Sequence, residues 1–440
     1  MKKSFIQTSL ALFLICGITF AQSFLPIGNP LEEGFSAEGI ERVSSFLNQM
    51  SDQKQVPGSV ALVVRNGKVV FNQASGWADM EEKVPMRRDH LFRMASMTKI
   101  ITTVAALKLF ERGYFTMDTP LETFLPEFAN PTIFESYDEN SGTFTSRPSK
   151  NKILMKHVFT HTSGITYPAF VGEGKIGYDQ AKIVQAFPKA NSNVSVGEEL
   201  KKLAKLPLAH EPGESWTYGM NMDVLGRVIE VLTGQDYPEF VRDEIFIPLK
   251  MNRSYFGVPK KEWKNLAKVY TSSPDGIRPY EEKDLTNNLS TDQRASLDYY
   301  KAENTKVAFG GADMVSCAQD YARFLQMLLN YGSLDGVQIL SKKTIEMLET
   351  PLFDVHTKDL IAAQYGPRVQ AGLSVRIMQE ELAKFQLVSK GSYYWGGYFN
   401  TQFWMDRKEQ LFYIVLTQYT PDPSDHNNKL KHLVWGSIAE

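Results

Sequence analysis

The run from Met97 to Leu109 constrains this chain more than any other stretch. Met97, Ile100, Ile101, Val104, Ala105, Leu107 and Leu109 cover more than one face of any helix built through them. Such a helix has to lie inside the molecule, with other layers packed around it. The chain has the material for that. Its 440 residues are 43% hydrophobic and 22% charged, which are globular proportions sufficient for one large domain or two ordinary ones. Arg112-Gly113 supplies the stop, a cation near the C-terminal dipole and a glycine for the cap. At the mouth of the helix stand Ser96 and Lys99. Residues three apart share a helical face, so the lysine amine can reach the serine hydroxyl, as a lysine-activated nucleophile requires. Ser51/Lys54 and Ser149/Lys152 have the same spacing, but they fall in a polar linker and a polar loop. Only Ser96 opens a buried helix, where the N-terminal peptide dipoles favour developing negative charge.

Charge and targeting signals narrow the classes. The formal net charge is -2 and no basic run stands out, so no nucleic acid partner is expected. Lys2 and Lys3 precede an apolar run from Ser9 to Phe20, and Thr19-Phe20-Ala21 is an acceptable small-residue cleavage site. Residues 1–21 therefore read as a signal peptide, with export to a periplasm or beyond as a secreted protein. The run is too short to favour a stable membrane span. A lipoprotein reading through Cys16 is disfavoured, because Ile15 is bulky where a small residue is expected. Cleavage leaves Cys317 as the one cysteine, so no intrachain disulfide can form and the thiol reads as buried and inert.

The remaining chain divides into a sheet-bearing part at each end. A helical spacing runs from Phe35 to Met50. Ser59 to Arg65, Asn66-Gly67 and Lys68 to Ala74 read as a hairpin, since Asn-Gly suits a two-residue turn with positive φ. Ala371 to Met378, Thr401 to Asp406 and Leu411 to Gln418 read as strands, and Asn427 to Ser437 as a final helix. Between them lie helices around Glu198 to Leu206, Asn221 to Thr233 and Tyr237, a polar insertion from Tyr137 to Lys152, and a surface connection from Lys268 to Lys283. This organisation predicts an α/β lobe from about 35–115 and 310–440, with a helical lobe at about 116–309. His157 and His161 lack an acidic third ligand, so capping or turn roles are expected in place of zinc.

Several phrases in order carry a family resemblance. They are Phe92 to Lys99, His161-Thr162-Ser163-Gly164, Leu206-Pro207-Leu208 with Glu211-Pro212-Gly213, and Tyr218 with Asp223-Val224-Leu225-Gly226. Gly310-Gly311-Ala312, Tyr321-Ala322-Arg323-Phe324 and Trp395-Gly396-Gly397 follow. From about Phe35 to the C-terminus the chain resembles the serine β-lactamase-like, penicillin-recognising superfamily, in its class C and family-VIII carboxylesterase branch. The resemblance implies an α+β, β-lactamase/transpeptidase-like fold: an antiparallel sheet flanked by terminal helices, plus an inserted all-α domain. It implies Ser96 as acylated nucleophile, Lys99 as the base that shares its proton, and Tyr218 as proton relay. It also implies an oxyanion hole from the backbone N–H groups of Ser96 and Tyr398, beside Trp395, Gly396 and Gly397.

Two positions depart from the β-lactamase and peptidase pattern. The asparagine expected two residues after the tyrosine is Met220, with Asn221 one residue later as a possible replacement. The cationic first residue of the third motif is Trp395, which cannot pair a carboxylate. The expectation is therefore a serine hydrolase working through an acyl-enzyme on a small-molecule ester or amide, most naturally a carboxylesterase on small uncharged esters, with no metal or cofactor. The alternatives are a β-lactamase or D-alanyl-D-alanine carboxypeptidase, and a non-catalytic penicillin-binding-like scaffold.

Overall fold

The computed structural model describes residues 24–138, 141, 143–167, 181–289, 294–301, 306–351, 369–421 and 425–439. Residues 1–21, read from the sequence as a signal peptide, lie outside the described residues, and Cys16 with them. Helix α1 (Ala37–Asp52) starts where the Ser36 side chain accepts the Gly39 N–H, and it buries Val43, Leu47 and Met50. Strands β1 (Gly58–Arg65) and β2 (Lys68–Asp79) form the expected hairpin, with Asn66 and Gly67 at φ 52° and 76°. After β3 (Val84–Pro85) comes the central helix α2 (Thr98–Glu111), of which all but Lys108, Phe110 and Glu111 are buried. Further along are α3 (Asn221–Thr233) and α4 (Ala318–Leu329). The chain closes with β4 (Val369–Ala371), β5 (Arg376–Met378), β6 (Tyr393–Gly396), β7 (Gln402–Asp406), β8 (Leu411–Thr417) and α5 (His426–Trp435).

The strands make one antiparallel sheet in the order β4-β5-β6-β7-β8-β1-β2-β3, so the last strand pairs with the first. Both central strands are wholly buried, and their alternate residues feed different cores. Val60, Leu62 and Val64 of β1, with Phe412, Ile414 and Leu416 of β8, face the large core that contains α2. Ala61, Val63, Leu411, Tyr413 and Val415 face the opposite side, where Leu47 of α1 and Val434 and Trp435 of α5 cover them. The terminal helices thus close one face, and α4 packs on β1 and β8 on the other, in the same core as α2.

Two expected elements differ. The stretch from Ala371 to Met378 is not one strand: β4 and β5 fold back on each other, with the Gly372 N–H bonded to Val375 O and Ser374 at φ 59°. The stretch from Lys268 to Lys283 is not a plain connection. It holds a hairpin, Tyr270–Ser273 against Gly276–Pro279, anchored because Tyr270 is fully buried and its N–H donates to Gln418 O. A second hairpin, Thr132–Asp138 with Thr143–Pro148, fills the polar insertion and is largely exposed. The intervening block therefore carries helices and two hairpins.

Glu211 fastens this second hairpin to the strip that leads to Tyr218. Its carboxylate accepts from Arg147, from the Ser149 hydroxyl and from the Lys150 N–H, while the residue is 3% exposed. Burial pushes this carboxyl up, but the bonds from Arg147, Ser149 and backbone N–H groups outweigh it and hold it at about 2. A depressed carboxyl stabilises the fold above its unfolded value of 4.5, and that contribution is lost as pH falls through about 2. Glu211→Gln should therefore cost roughly 1–3 kcal/mol at neutral pH. Melting curves taken at successively lower pH should show the difference from wild type shrinking below pH 4.5.

Candidate active site

The serine sits on a turn that several elements force into shape. Phe92–Arg93 pairs with Val315–Ser316, and Ala95 then adopts φ 46°, a left-handed conformation that costs a non-glycine residue roughly 1–2 kcal/mol. The strain is held in place: the Thr98 hydroxyl donates to Ala95 O at 2.7 Å, and the Tyr321 hydroxyl donates to Met97 O at 2.9 Å. Ala95–Met97 is a tight 3-10 turn running directly into α2. In such a turn positions three apart nearly eclipse, which brings Lys99 under Ser96. From Leu91 to Leu107 every residue except Ser96 is buried.

Lys99 is fully buried, and its Nζ reaches three oxygens: Ser96 Oγ at 3.2 Å, Tyr167 OH at 3.3 Å and Gly311 O at 2.7 Å. On the other side of the serine, Tyr218 OH donates to Ser96 Oγ at 2.7 Å. The Lys99 amine also lies 4.7 Å from the centre of the Tyr218 ring. The three residues picked from sequence are thus brought together in one hydrogen-bonded cluster.

Tyr218 reaches this place because its strand of loop is zipped to the His161 turn. Ala209 N–H donates to Gly164 O, Gly213 N–H to Thr162 O, and Thr217 N–H to His161 O. Gly219 then passes so close to the same turn that a β-carbon on it would stand 2.3 Å from Ile165 O. Burial holds the His161 imidazole well below its usual range, with Lys99 and Arg376 acting in the same direction, so the ring is neutral. Its Nδ1 lies 3.0 Å from Asn221 Nδ2, a donor, which leaves the proton on Nε2. His157 has a separate capping contact, its Nδ1 accepting the Leu154 N–H. Among the described residues no group of His, Cys, Asp or Glu could hold a metal ion, and no helix is long and apolar enough to cross a membrane.

The end of β6 closes the cluster. Gly397 N–H donates to Thr401 O, and the Thr401 hydroxyl donates to Met94 O, so the residues after Trp395 dock against the turn that carries Ser96. Among the described residues neither Ser96 N–H nor Tyr398 N–H donates to an acceptor. Gly396 is tight without a clash, the nearest neighbour of an added β-carbon being Thr401 O at 3.2 Å. The Tyr398 hydroxyl is engaged with Tyr280 at 3.1 Å.

Two candidate site residues left open by the sequence turn away from the cluster. Asn221 does not take the place left by Met220. Its oxygen accepts from Ser163, and its nitrogen serves His161 Nδ1 and Ile165 O, so every polar position is committed to the 161–165 turn. The reason is helical geometry: Met220 caps α3, and Asn221 begins the helix pointing into the core, fully buried. Trp395 does not present a substrate-facing surface. It is 4% exposed, stacks parallel to His161 at 6.5 Å, and lies 5.6 Å from the Tyr218 ring, with the Arg376 guanidinium 4.9 Å from its centre. The indole is a wall behind the tyrosine.

Sequence reasoning missed Tyr167 and the bonding of Gly311. Tyr167 lies three residues beyond Gly164, outside any spacing rule that would link it to Lys99. Gly310 and Gly311 were visible as a pair, and their reason is close approach. A β-carbon on Gly310 would stand 2.4 Å from Met222 O, and one on Gly311 would stand 3.0 Å from both Tyr167 OH and Asp223 Oδ1.

The family model "Beta-lactamase" matches residues 43–434. Esterase EstB of Burkholderia gladioli is 28% identical over 383 residues, covering 86% of this chain and 90% of that protein. Monacolin J acid methylbutanoyltransferase of Aspergillus terreus is 24% identical over 443 residues, covering 94% and 100%. Among solved structures, EstCE1, a hydrolase with promiscuous acyltransferase activity, superposes with a TM-score of 0.75 at 23% identity, covering 92% of this chain and 99% of that one. The chain belongs to the beta-lactamase family, whose β-lactamase/transpeptidase-like fold it shares. Its relatives include an esterase and an acyltransferase.

Gly397 offers a direct test of the docking at the end of β6. A β-carbon there would stand 2.2 Å from Thr401 Oγ1 and 2.3 Å from Met94 O. Gly397→Ala should cost about 1–3 kcal/mol and lower the thermal midpoint clearly, whereas Gly396→Ala should cost well under that, about 1 kcal/mol or less.

Proposed function

We propose that this protein is a serine hydrolase that works through an acyl-enzyme on Ser96, with small uncharged carboxylic esters as its substrates. The observation that carries the reading is the placing of Ser96 Oγ between Lys99 Nζ at 3.2 Å and Tyr218 OH at 2.7 Å, at the one unburied position of its segment. Bonds from Lys99 Nζ to Gly311 O and Tyr167 OH hold the amine against the serine oxygen whose proton it takes. Ser96 Oγ attacks the ester carbonyl as its proton passes to Lys99. The carbonyl oxygen takes up the charge against the N–H groups of Ser96 and Tyr398, donors of a kind worth roughly 3–4 kcal/mol each in acyl transfer. Tyr218 hands a proton to the leaving alkoxide and then assists the water that releases the acid.

The choice of esters over β-lactams or D-alanyl peptides rests on Asn221 and Trp395. The first has its amide turned into the 161–165 turn, and the second is a buried indole packed behind Tyr218, so neither position supplies a polar or charged group for a substrate carboxylate. EstB, named as an esterase, supports the same preference.

Ser96→Ala and Lys99→Ala should each lower hydrolysis of p-nitrophenyl acetate and butyrate by at least about a thousandfold without loss of fold. Turnover retained in Ser96→Ala would sink the assignment. The wild-type protein should hydrolyse these esters far faster than nitrocefin, and the reverse order would favour a β-lactamase. Failure of the wild type to act on either, with no adduct from penicillin, would favour a scaffold.

A further inference from the structure

Behind Lys99 lies a carboxylate that the proposed mechanism does not use. Asp223, in the first turn of α3, is fully buried. Its Oδ1 accepts the Gly311 N–H at 2.8 Å, and the carbonyl of that same glycine accepts from Lys99 Nζ at 2.7 Å. One peptide group is therefore held by Asp223 at its nitrogen end and holds the lysine at its oxygen end. Asp223 Oδ2 has no hydrogen-bond partner among the described residues, although it is buried. A β-carbon on Gly311 would stand 3.1 Å from this oxygen and 3.0 Å from Tyr167 OH, so the carboxylate and the phenol flank one point beside the lysine. The charged and titratable groups facing Asp223 are Lys99 from α2, Tyr167 from the 161–167 segment, Asp313 from the Gly310-Gly311 loop, and Tyr237 from the helix after α3.

We propose that Asp223 is a positioning residue: it fixes the Gly311 carbonyl on Lys99 and, as a carboxylate, compensates the ammonium that forms when Lys99 takes the serine proton. The inference rests on the reading of Lys99 as the base. In the acylation step Ser96 Oγ loses its proton to Lys99 and bonds the carbonyl carbon, whose π pair moves to the carbonyl oxygen. A cation and an oxyanion arise together. The oxyanion faces the N–H groups of Ser96 and Tyr398. Without Asp223 the one carboxyl left near the cation would be that of Asp313, which is already committed to the Phe187 and Phe309 N–H groups, and a poorly compensated buried charge costs several kcal/mol in real interiors.

Burial pushes the Asp223 carboxyl up to about 7, against the pull of Lys99 and the Gly311 N–H. This fixes the sign of the test. Above pH 7 the carboxylate is charged and Asp223→Asn removes that charge while keeping the size and an acceptor for Gly311 N–H. Below pH 7 the wild type is itself protonated, so the two proteins converge.

The readout is the second-order rate of fluorophosphonate labelling at Ser96 in the full chain, at about pH 8.5 and about pH 5.5. Wild type should be labelled about tenfold or more faster than Asp223→Asn at the higher pH, and the ratio should fall towards one at the lower. A ratio near one at both values overturns the proposal, and so does a large ratio that does not change with pH, which would mark a purely structural role. Absence of labelling in wild type overturns the reading of Ser96 and Lys99 as well. If Asp223→Asn does not fold, Asp223→Ser decides by the same two ratios, since it keeps an acceptor for the Gly311 N–H and lacks the charge: a ratio near one at both pH values, or a large one that does not change with pH, overturns the proposal.

Discussion

A lysine placed inside a protein is costly unless its donors are met, and the architecture around Lys99 follows from that constraint. The helix that carries it is apolar on nearly every side, so it must be enclosed. Enclosure brings three separate segments to the amine: the serine turn itself, the 161–167 segment through Tyr167, and the Gly310-Gly311 loop. Each of those segments is short of space. Ala95 is held in a left-handed conformation, and Gly219, Gly310 and Gly397 lie where no β-carbon fits. The strain and the glycines are the consequence of bringing many backbones to one buried nitrogen.

The sheet serves the same end. Pairing of β8 with β1 joins the two ends of the chain, and the alternation of their side chains gives α4 one continuous apolar floor, in the same core that holds α2. It also presents the end of β6 to the serine turn, where Thr401 and Gly397 lock it. In the proposed function, selectivity is set at a distance from the nucleophile. Trp395 backs Tyr218, and Asn221 braces the turn to which the Tyr218 loop is zipped. Both positions shape the tyrosine while contributing no charged group for a substrate carboxylate.

Much of this was legible in the sequence. The all-round apolar run identified α2, the Asn66-Gly67 pair identified the first hairpin, and α3 runs over the residues its spacing indicates. Ser96, Lys99 and Tyr218 could be named because each stands in a recognisable phrase. Other features escaped for physical reasons. The side of α3 on which Asn221 points depends on where the helix begins, and one residue of phase turns an amide from a cleft into the core. Tyr167 and Gly311 meet Lys99 only through tertiary packing, across separations that carry no periodic signal. The hairpin at Tyr270 escaped because its anchoring comes from Gln418, far along the chain.

The central claim is that Ser96 becomes covalently acylated. Rapid acid quenching of the protein with p-nitrophenyl butyrate, followed by peptide mass analysis, tests it most directly. The account predicts a butyryl adduct on the peptide containing Ser96, appearing with an initial burst of nitrophenol. Hydrolysis of the ester with the acyl group on another residue, or with no adduct and no burst under conditions where deacylation limits the rate, would contradict it.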